Sequence, residues 1–150
     1  MSARINEKIE EIRGYLDFLE SHVPSSLEEY KQSLETKAIC ERYCEKIIEA
    51  LVDLAFLFFK EEIIRKDKNI ITPKEDTEIF KLLNRKNIIS ADLSEKLIEA
   101  KGMRNIIAHE YGKIDDSIVF KAVSEELEYN VEDFIRAIEN TLDKEKENGN

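Results

Sequence analysis

The chain is poor in the residues that form turns and break helices, with only four glycines and two prolines among 150 residues. Tryptophan is absent, whereas charged residues make up 37% of the chain. A turn-rich β fold needs more glycine and proline than this, so the composition favours helices. At this length we expect one domain with a single core.

Cysteine and histidine are also scarce, with two of each. Cys40 and Cys44 are four residues apart on a predicted helix and therefore share a face. A zinc site would need two further ligands, and no cluster of cysteine or histidine supplies them. His109-Glu110 begins the metalloprotease pattern H-E-x-x-H, but Lys113 stands where the second histidine is required. We therefore expect two buried thiols, no metal site and no cofactor.

Long apolar runs are missing as well. The most apolar segment, residues 47–59, is interrupted by Glu49 and Asp53, and the first residues lack the apolar run of a secretory signal. We therefore expect a cytoplasmic protein without a membrane segment.

Positive charge is in the minority, with 23 lysines and arginines against 33 acidic residues and a net charge of −10. This argues against indiscriminate binding to nucleic acid, because affinity for phosphate needs basic side chains. Between Lys81 and Lys113, however, seven basic residues accompany four acidic ones. That local excess keeps RNA open as a substrate.

Apolar residues at three- and four-residue steps predict helices along the whole chain. The first covers about residues 6–21, and the second begins at a Ser26–Glu29 capping box and runs to Phe59 as the most buried helix. A short third helix begins near Thr72, a fourth begins at Ser90 or Asp92, and a fifth spans residues 116–143. We predict an all-α antiparallel, up-and-down bundle of about five helices. Residues 1–143 form its single domain, and residues 144–150 form a polar, disordered tail.

The chemistry is concentrated in R-N-I-I-A-H-E-Y, residues 104–111, at the end of the predicted fourth helix. Arginine binds phosphate oxygens with two parallel hydrogen bonds, and histidine exchanges protons near neutral pH. On a continuous helix Tyr111 would lie two turns above Arg104. Metal-free RNA cleavage needs two proton transfers, and one chain offers only His109 here, which favours a two-fold dimer.

Simpler interpretations of these residues stay open. Arg104 and His109 could merely cap the carbonyl groups at a helix end, and Tyr111 could be an interface anchor. Asp53, inside an apolar segment, either faces solvent or supports Arg104 or His109. His22 is interpreted as a loop residue without a partner.

The motif R-x-x-x-x-H-x-Y, with Asn105 after the arginine, resembles the signature of the HepT-like toxins of the HEPN superfamily. Residues 41–53 and 72–83 are similar to further segments of that family, so the likeness covers nearly the whole chain. It implies a homodimer whose two motifs face a shared cleft. It also implies a metal-independent endoribonuclease toxin, paired with a nucleotidyltransferase antitoxin of the MNT type.

The resemblance also implies a role for each motif residue. Arg104 would bind the scissile phosphate, His109 would act as general acid and base, and Asn105 would orient them or the RNA. Tyr111 would receive AMP from the antitoxin, which switches the toxin off. The alternative is a non-catalytic helical subunit that binds the nucleotidyltransferase and presents its substrate. Loss of cleavage on His109→Ala distinguishes the two.

Overall fold

The computed structural model describes residues 2–148, and this part of the chain contains helices and short connections but no strand. The all-α prediction is therefore confirmed. The elements are α1 (Ala3–Glu20), α2 (Leu27–Gln32), α3 (Leu34–Phe58), α4 (Ile64–Lys66), α5 (Asp76–Arg85), α6 (Ala91–His109), α7 (Asp116–Lys121) and α8 (Leu127–Asn148). No helix in these residues is long and apolar enough to cross a membrane.

Serine side chains fix where several of the helices begin. Ser26 Oγ accepts a hydrogen bond from the Glu29 N–H at 3.2 Å, as the capping box predicted, and Ser90 caps α6 in the same way. Ser33 does so as well, accepting from the Thr36 N–H at 3.1 Å. Because Ser33 has extended backbone (φ −115°, ψ 108°), it divides the predicted second helix into α2 and α3.

Other helix boundaries also differ from the predicted ones. The charged residues 60–69 after the predicted end of the second helix suggest a connection, but residues 60–66 are helical because α3 continues through a π-helical turn (Phe59–Ile63) into α4. The third helix begins at Asp76 rather than near Thr72. The predicted fifth helix is α7 and α8, joined by a second π-helical turn (Ala122–Glu126).

The predicted tail needs a correction for its first five residues. Residues 144–148 belong to α8, and residues 149–150 lie outside the described part of the chain. The physical reason is visible at Glu145, which pairs with Lys66 and, at 3.5 Å, with Arg65. These ion pairs hold the end of α8 against α4.

Helix α3 is the centre of the molecule, as predicted. Ten of its residues are buried, and it packs against α1, α5 and α6. Phe58 and Phe59 at its end are almost completely buried, and nearby Phe80 meets Phe134 edge to face at 5.9 Å. Burial of such large aromatic side chains is a main source of the stability of this core.

Candidate active site

Arg104 is held in the groove between α6 and α3. Its Nη2 forms an ion pair with the carboxylate of Glu49 on α3, and only 15% of the arginine side chain is exposed. Its Nε is buried and has no hydrogen-bond partner among the described residues. A buried N–H without an acceptor is costly, so this donor is available to a ligand oxygen that can reach it.

Helix α6 runs antiparallel to α3 along this groove. Two contacts indicate the direction: Arg104 of α6 pairs with Glu49, and Asp116, which begins α7 soon after α6 ends, pairs at 3.2 Å with Lys37 near the beginning of α3. His109 lies about 7.5 Å along α6 from Arg104, at 1.5 Å per residue, in the direction of the beginning of α3.

His109 and Asn105 are both exposed, one turn apart on α6. His109 is the last residue of the helix, so its ring projects where the chain leaves the bundle. The arrangement combines a held guanidinium with an accessible imidazole, and these two groups are suited to bind a phosphate and transfer protons beside it.

Tyr111 is not part of α6, contrary to the prediction that it continues the helix. The helix ends because Glu110 adopts φ −129° and ψ 53°, and Tyr111 begins a short 3₁₀ helix (Tyr111–Lys113). As a result 78% of Tyr111 is exposed.

Asp53 does not support Arg104 or His109 within the chain, and this part of the predicted site needs a correction. The side chain is 65% exposed and lies 3.8 Å from Lys8 of α1. Because α6 runs towards the beginning of α3, His109 lies on the far side of Glu49 from Asp53. Glu49, one helical turn before Asp53, contacts the arginine instead.

The positive segment predicted around the motif is largely neutralised by its neighbours. Six of its seven basic residues form ion pairs, four of them with carboxylates outside the segment: Lys81, Lys86, Lys101 and Arg104 pair with Glu78, Asp67, Asp76 and Glu49. Lys96 and Lys113 pair within it. Any RNA that reaches Arg104 therefore meets few uncompensated cations along α6.

The two thiols are buried, as expected. Burial raises the pKa of the Cys40 thiol to about 11 and that of the Cys44 thiol to about 12. Neither is a reactive thiolate at neutral pH. Among residues 2–148, no three His, Cys, Asp or Glu side chains come together in the way a metal site requires.

A helical bundle with this arginine, histidine and tyrosine at the end of one helix agrees with the predicted class. The family model described as ribonuclease HepT-like matches residues 5–140. The chain therefore belongs to the HepT-like ribonuclease family. This confirms the resemblance and the predicted enzyme class, an endoribonuclease.

Individual proteins that resemble this chain are also HepT nucleases and HEPN toxins. The chain is 33% identical over 122 residues to a tRNA nuclease HepT of Aphanizomenon flos-aquae, covering 80% of this chain and 78% of that protein. It is 31% identical over 94 residues to an mRNA nuclease HepT of Shewanella oneidensis, covering 63% and 65%. A solved structure, the tri-AMPylated HEPN toxin of Shewanella oneidensis in complex with an MNT antitoxin, is 28% identical with a TM-score of 0.79. The match covers 93% of this chain and 99% of the toxin.

Proposed function

We propose that this protein is a metal-independent endoribonuclease toxin that cleaves RNA in a cleft between two copies of the chain. A partner nucleotidyltransferase of the MNT type neutralises it by attaching AMP to Tyr111. The observation that carries the proposal is the grouping at the end of α6: Arg104 is held by Glu49, His109 is exposed, and Tyr111 is accessible.

In the proposed reaction, His109 of one copy removes the proton from the 2′-hydroxyl of the RNA. The 2′-oxygen attacks the adjacent phosphorus, and Arg104 stabilises the negative charge that builds up on the phosphate oxygens. The bond to the 5′-oxygen breaks, and this oxygen takes a proton from His109 of the second copy. The products are a 2′,3′-cyclic phosphate and a 5′-hydroxyl.

Modification of Tyr111 follows from its position. Its hydroxyl oxygen would attack the α-phosphorus of a nucleoside triphosphate held by the partner, with loss of the phenol proton and release of pyrophosphate. Each AMP adds a bulky anion beside the groove that contains Arg104, and this anion would repel and exclude RNA. An AMPylated toxin among the related structures supports this assignment.

The first test is cleavage of RNA by the purified protein in EDTA, with His109→Ala beside the wild type. We expect wild-type cleavage to 2′,3′-cyclic phosphate ends and no cleavage by His109→Ala. Glu110→Gln is the control, since it changes an exposed neighbour whose one ion-pair partner among the described residues is Lys113, at 3.3 Å. No cleavage by a folded wild-type dimer would favour the alternative, a subunit that binds and presents substrate to the nucleotidyltransferase.

A mixing experiment tests the shared cleft. If each reaction uses one His109 from each copy, a dimer with one His109→Ala chain is inactive. An equal mixture that has exchanged subunits then keeps about a quarter of the wild-type activity, because only that share of the dimers has two intact chains. Retention of about half would show that each chain works alone.

A further inference from the structure

A cluster of aromatic rings lies on the outside of α1 and α3, outside the motif. Phe18 packs between two neighbours, with its ring centroid 4.3 Å from that of His22 and 4.3 Å from that of Tyr43. Tyr15 meets Tyr43 edge to face at 6.0 Å. We call Tyr15, Phe18, His22 and Tyr43 the aromatic platform. His22 therefore has partners in the fold, contrary to its interpretation from the sequence.

The platform is rigid and accessible. The Nδ1 of His22 lies 2.9 Å from the carbonyl oxygen of Phe18 and 3.0 Å from the hydroxyl of Ser21, and these contacts hold the imidazole ring in place. Phe18 remains 41% exposed although it is a large apolar residue. Large apolar side chains held in place at a surface are typical of a binding site.

Cations border the same rings. Lys46 Nζ lies 5.0 Å from the ring centroid of Tyr15 and 5.4 Å from that of Tyr43. Lys46 forms no ion pair with the described residues, which sets it apart from most of the cations along α6. Arg42, one turn earlier on α3, is 61% exposed and lies 3.4 Å from the carboxylate of Glu45.

The platform is connected to the motif through α3. Arg42, Lys46 and Glu49 lie within about 60° of one another around the helix axis, so they share one face. Glu49 on that face holds Arg104, and Lys46 is about 4.5 Å further along the axis, next to the platform. A strand of RNA that extends from Arg104 along this face of α3 would meet Lys46 and then the rings.

We propose that the aromatic platform and Lys46 form a subsite that binds an unpaired base of single-stranded RNA and the phosphate next to it. Stacking of bases on aromatic rings beside cations is the general way in which proteins bind single strands without reading their sequence. The subsite also explains how a chain with a net charge of −10 would bind RNA locally. It rests on the proposed ribonuclease function and extends it.

The test measures binding of a fluorescein-labelled single-stranded RNA of about ten nucleotides, a length in the range that such sites cover. All variants are made in the His109→Ala background, so that the RNA stays intact. Phe18→Ser removes the ring that packs between His22 and Tyr43. It should weaken binding by about 5- to 150-fold, the range that the loss of one stacked base predicts. Lys46→Gln should also reduce the slope of log K against log salt by about 0.7, the value for one phosphate contact on a single strand.

Two further variants separate stacking from loss of fold. Tyr129→Ser, which removes a ring that is 69% exposed on α8, should bind RNA as the parent does. Phe18→Trp should keep the affinity, and RNA should quench the fluorescence of the new tryptophan. The wild-type chain has no tryptophan, so this signal comes from position 18 alone. A corresponding Tyr129→Trp variant should not be quenched.

The possible outcomes lead to different conclusions. If the wild type cleaves RNA but Phe18→Ser binds as tightly as its parent, or Phe18→Trp is not quenched at saturation, the subsite is refuted and the ribonuclease stands. If Phe18→Ser weakens binding of the nucleotidyltransferase and leaves RNA binding unchanged, the platform is a protein interface. If the wild type cleaves no RNA and the His109→Ala parent binds none, both the proposed function and the subsite are wrong.

Discussion

Glu49 is the residue whose substitution tests the site most directly. Its carboxylate is the only partner of the Arg104 guanidinium among the described residues, and it is contributed by a different helix. We expect Glu49 to position the arginine without touching the RNA. Glu49→Gln should therefore lower kcat more than it raises KM, because a misplaced arginine stabilises the transition state less while the substrate still binds.

The size of the effect follows from the exposure of the two side chains. Removing one partner of a fully buried ion pair costs about 3–5 kcal/mol, whereas exposed pairs contribute about 0–1 kcal/mol. Arg104 is 15% exposed and Glu49 is 43% exposed, so the pair lies between these limits. We expect Glu49→Gln to lower the free energy of unfolding by about 1–2 kcal/mol. Loss of a fixed electrostatic donor reduces turnover by about 100- to 1000-fold. Glu49→Gln misplaces the arginine without removing it, so we expect kcat to fall by about tenfold.

The assay is steady-state cleavage of RNA by the wild type, Glu49→Gln, Arg104→Ala and the double variant. Asp53→Asn is the matched control, because it removes a carboxylate from the same face of α3, one turn away, whose partner is Lys8. We expect this control to change stability by less than about 0.5 kcal/mol and cleavage hardly at all. Urea unfolding of each variant separates lost stability from lost catalysis.

The double variant decides whether Glu49 acts through Arg104. If it does, Glu49→Gln has little further effect once Arg104 is alanine, since the two substitutions remove the same interaction. Equal losses in both backgrounds would refute the positioning role. Faster cleavage by Glu49→Gln would refute it as well, because the carboxylate would then compete with the RNA phosphate for the arginine.

Three further predictions concern other parts of the chain. Tyr111→Phe should leave cleavage intact but prevent transfer of AMP from a labelled nucleoside triphosphate by the partner, and full labelling of this variant would remove Tyr111 from its role. Because burial raises the pKa of both Cys40 and Cys44 above the ordinary 9.0, the stability linked to their protons is complete below that value. This stability is lost as the pH rises towards 11 and 12. Urea unfolding between pH 9 and pH 11 should therefore show a smaller loss of stability for the variant with alanine at both cysteines than for the wild type. Burial raises the pKa of Glu62 above its ordinary 4.5, so urea unfolding should show the wild type losing stability relative to Glu62→Gln as the pH rises above that value.

Local sequence patterns predicted most of the fold because they depend on short-range physics. Apolar periodicity located the main helices, and the Ser26 pattern located a helix start to the residue. The same reasoning failed at Ser33, because the apolar residues continue through the point where one hydroxyl caps α3. It failed again at residues 144–148, where the sequence is polar, because the helix is held by ion pairs with α4.

The motif itself could be found from the sequence, since its groups lie within eight residues of one another. The carboxylate that holds Arg104 could not, because the choice between Glu49 and Asp53 depends on the register of α6 against α3. Both acids lie on the same face of α3, one turn apart, and either is compatible with the helical pattern. That register is visible only in the fold, where Arg104 of α6 pairs with Glu49 of α3.

The same dependence on register explains why charge counted along the sequence gave an incomplete picture of RNA binding. The basic excess between Lys81 and Lys113 faces carboxylates that the fold brings from other segments. Lys46 belongs to an acidic stretch of the sequence, yet in the fold it lies over two aromatic rings and forms no ion pair with the described residues. The local field that RNA meets is therefore set by which cations remain unpaired after folding. For this chain that criterion favours α3 over α6 as the path of the RNA from the motif.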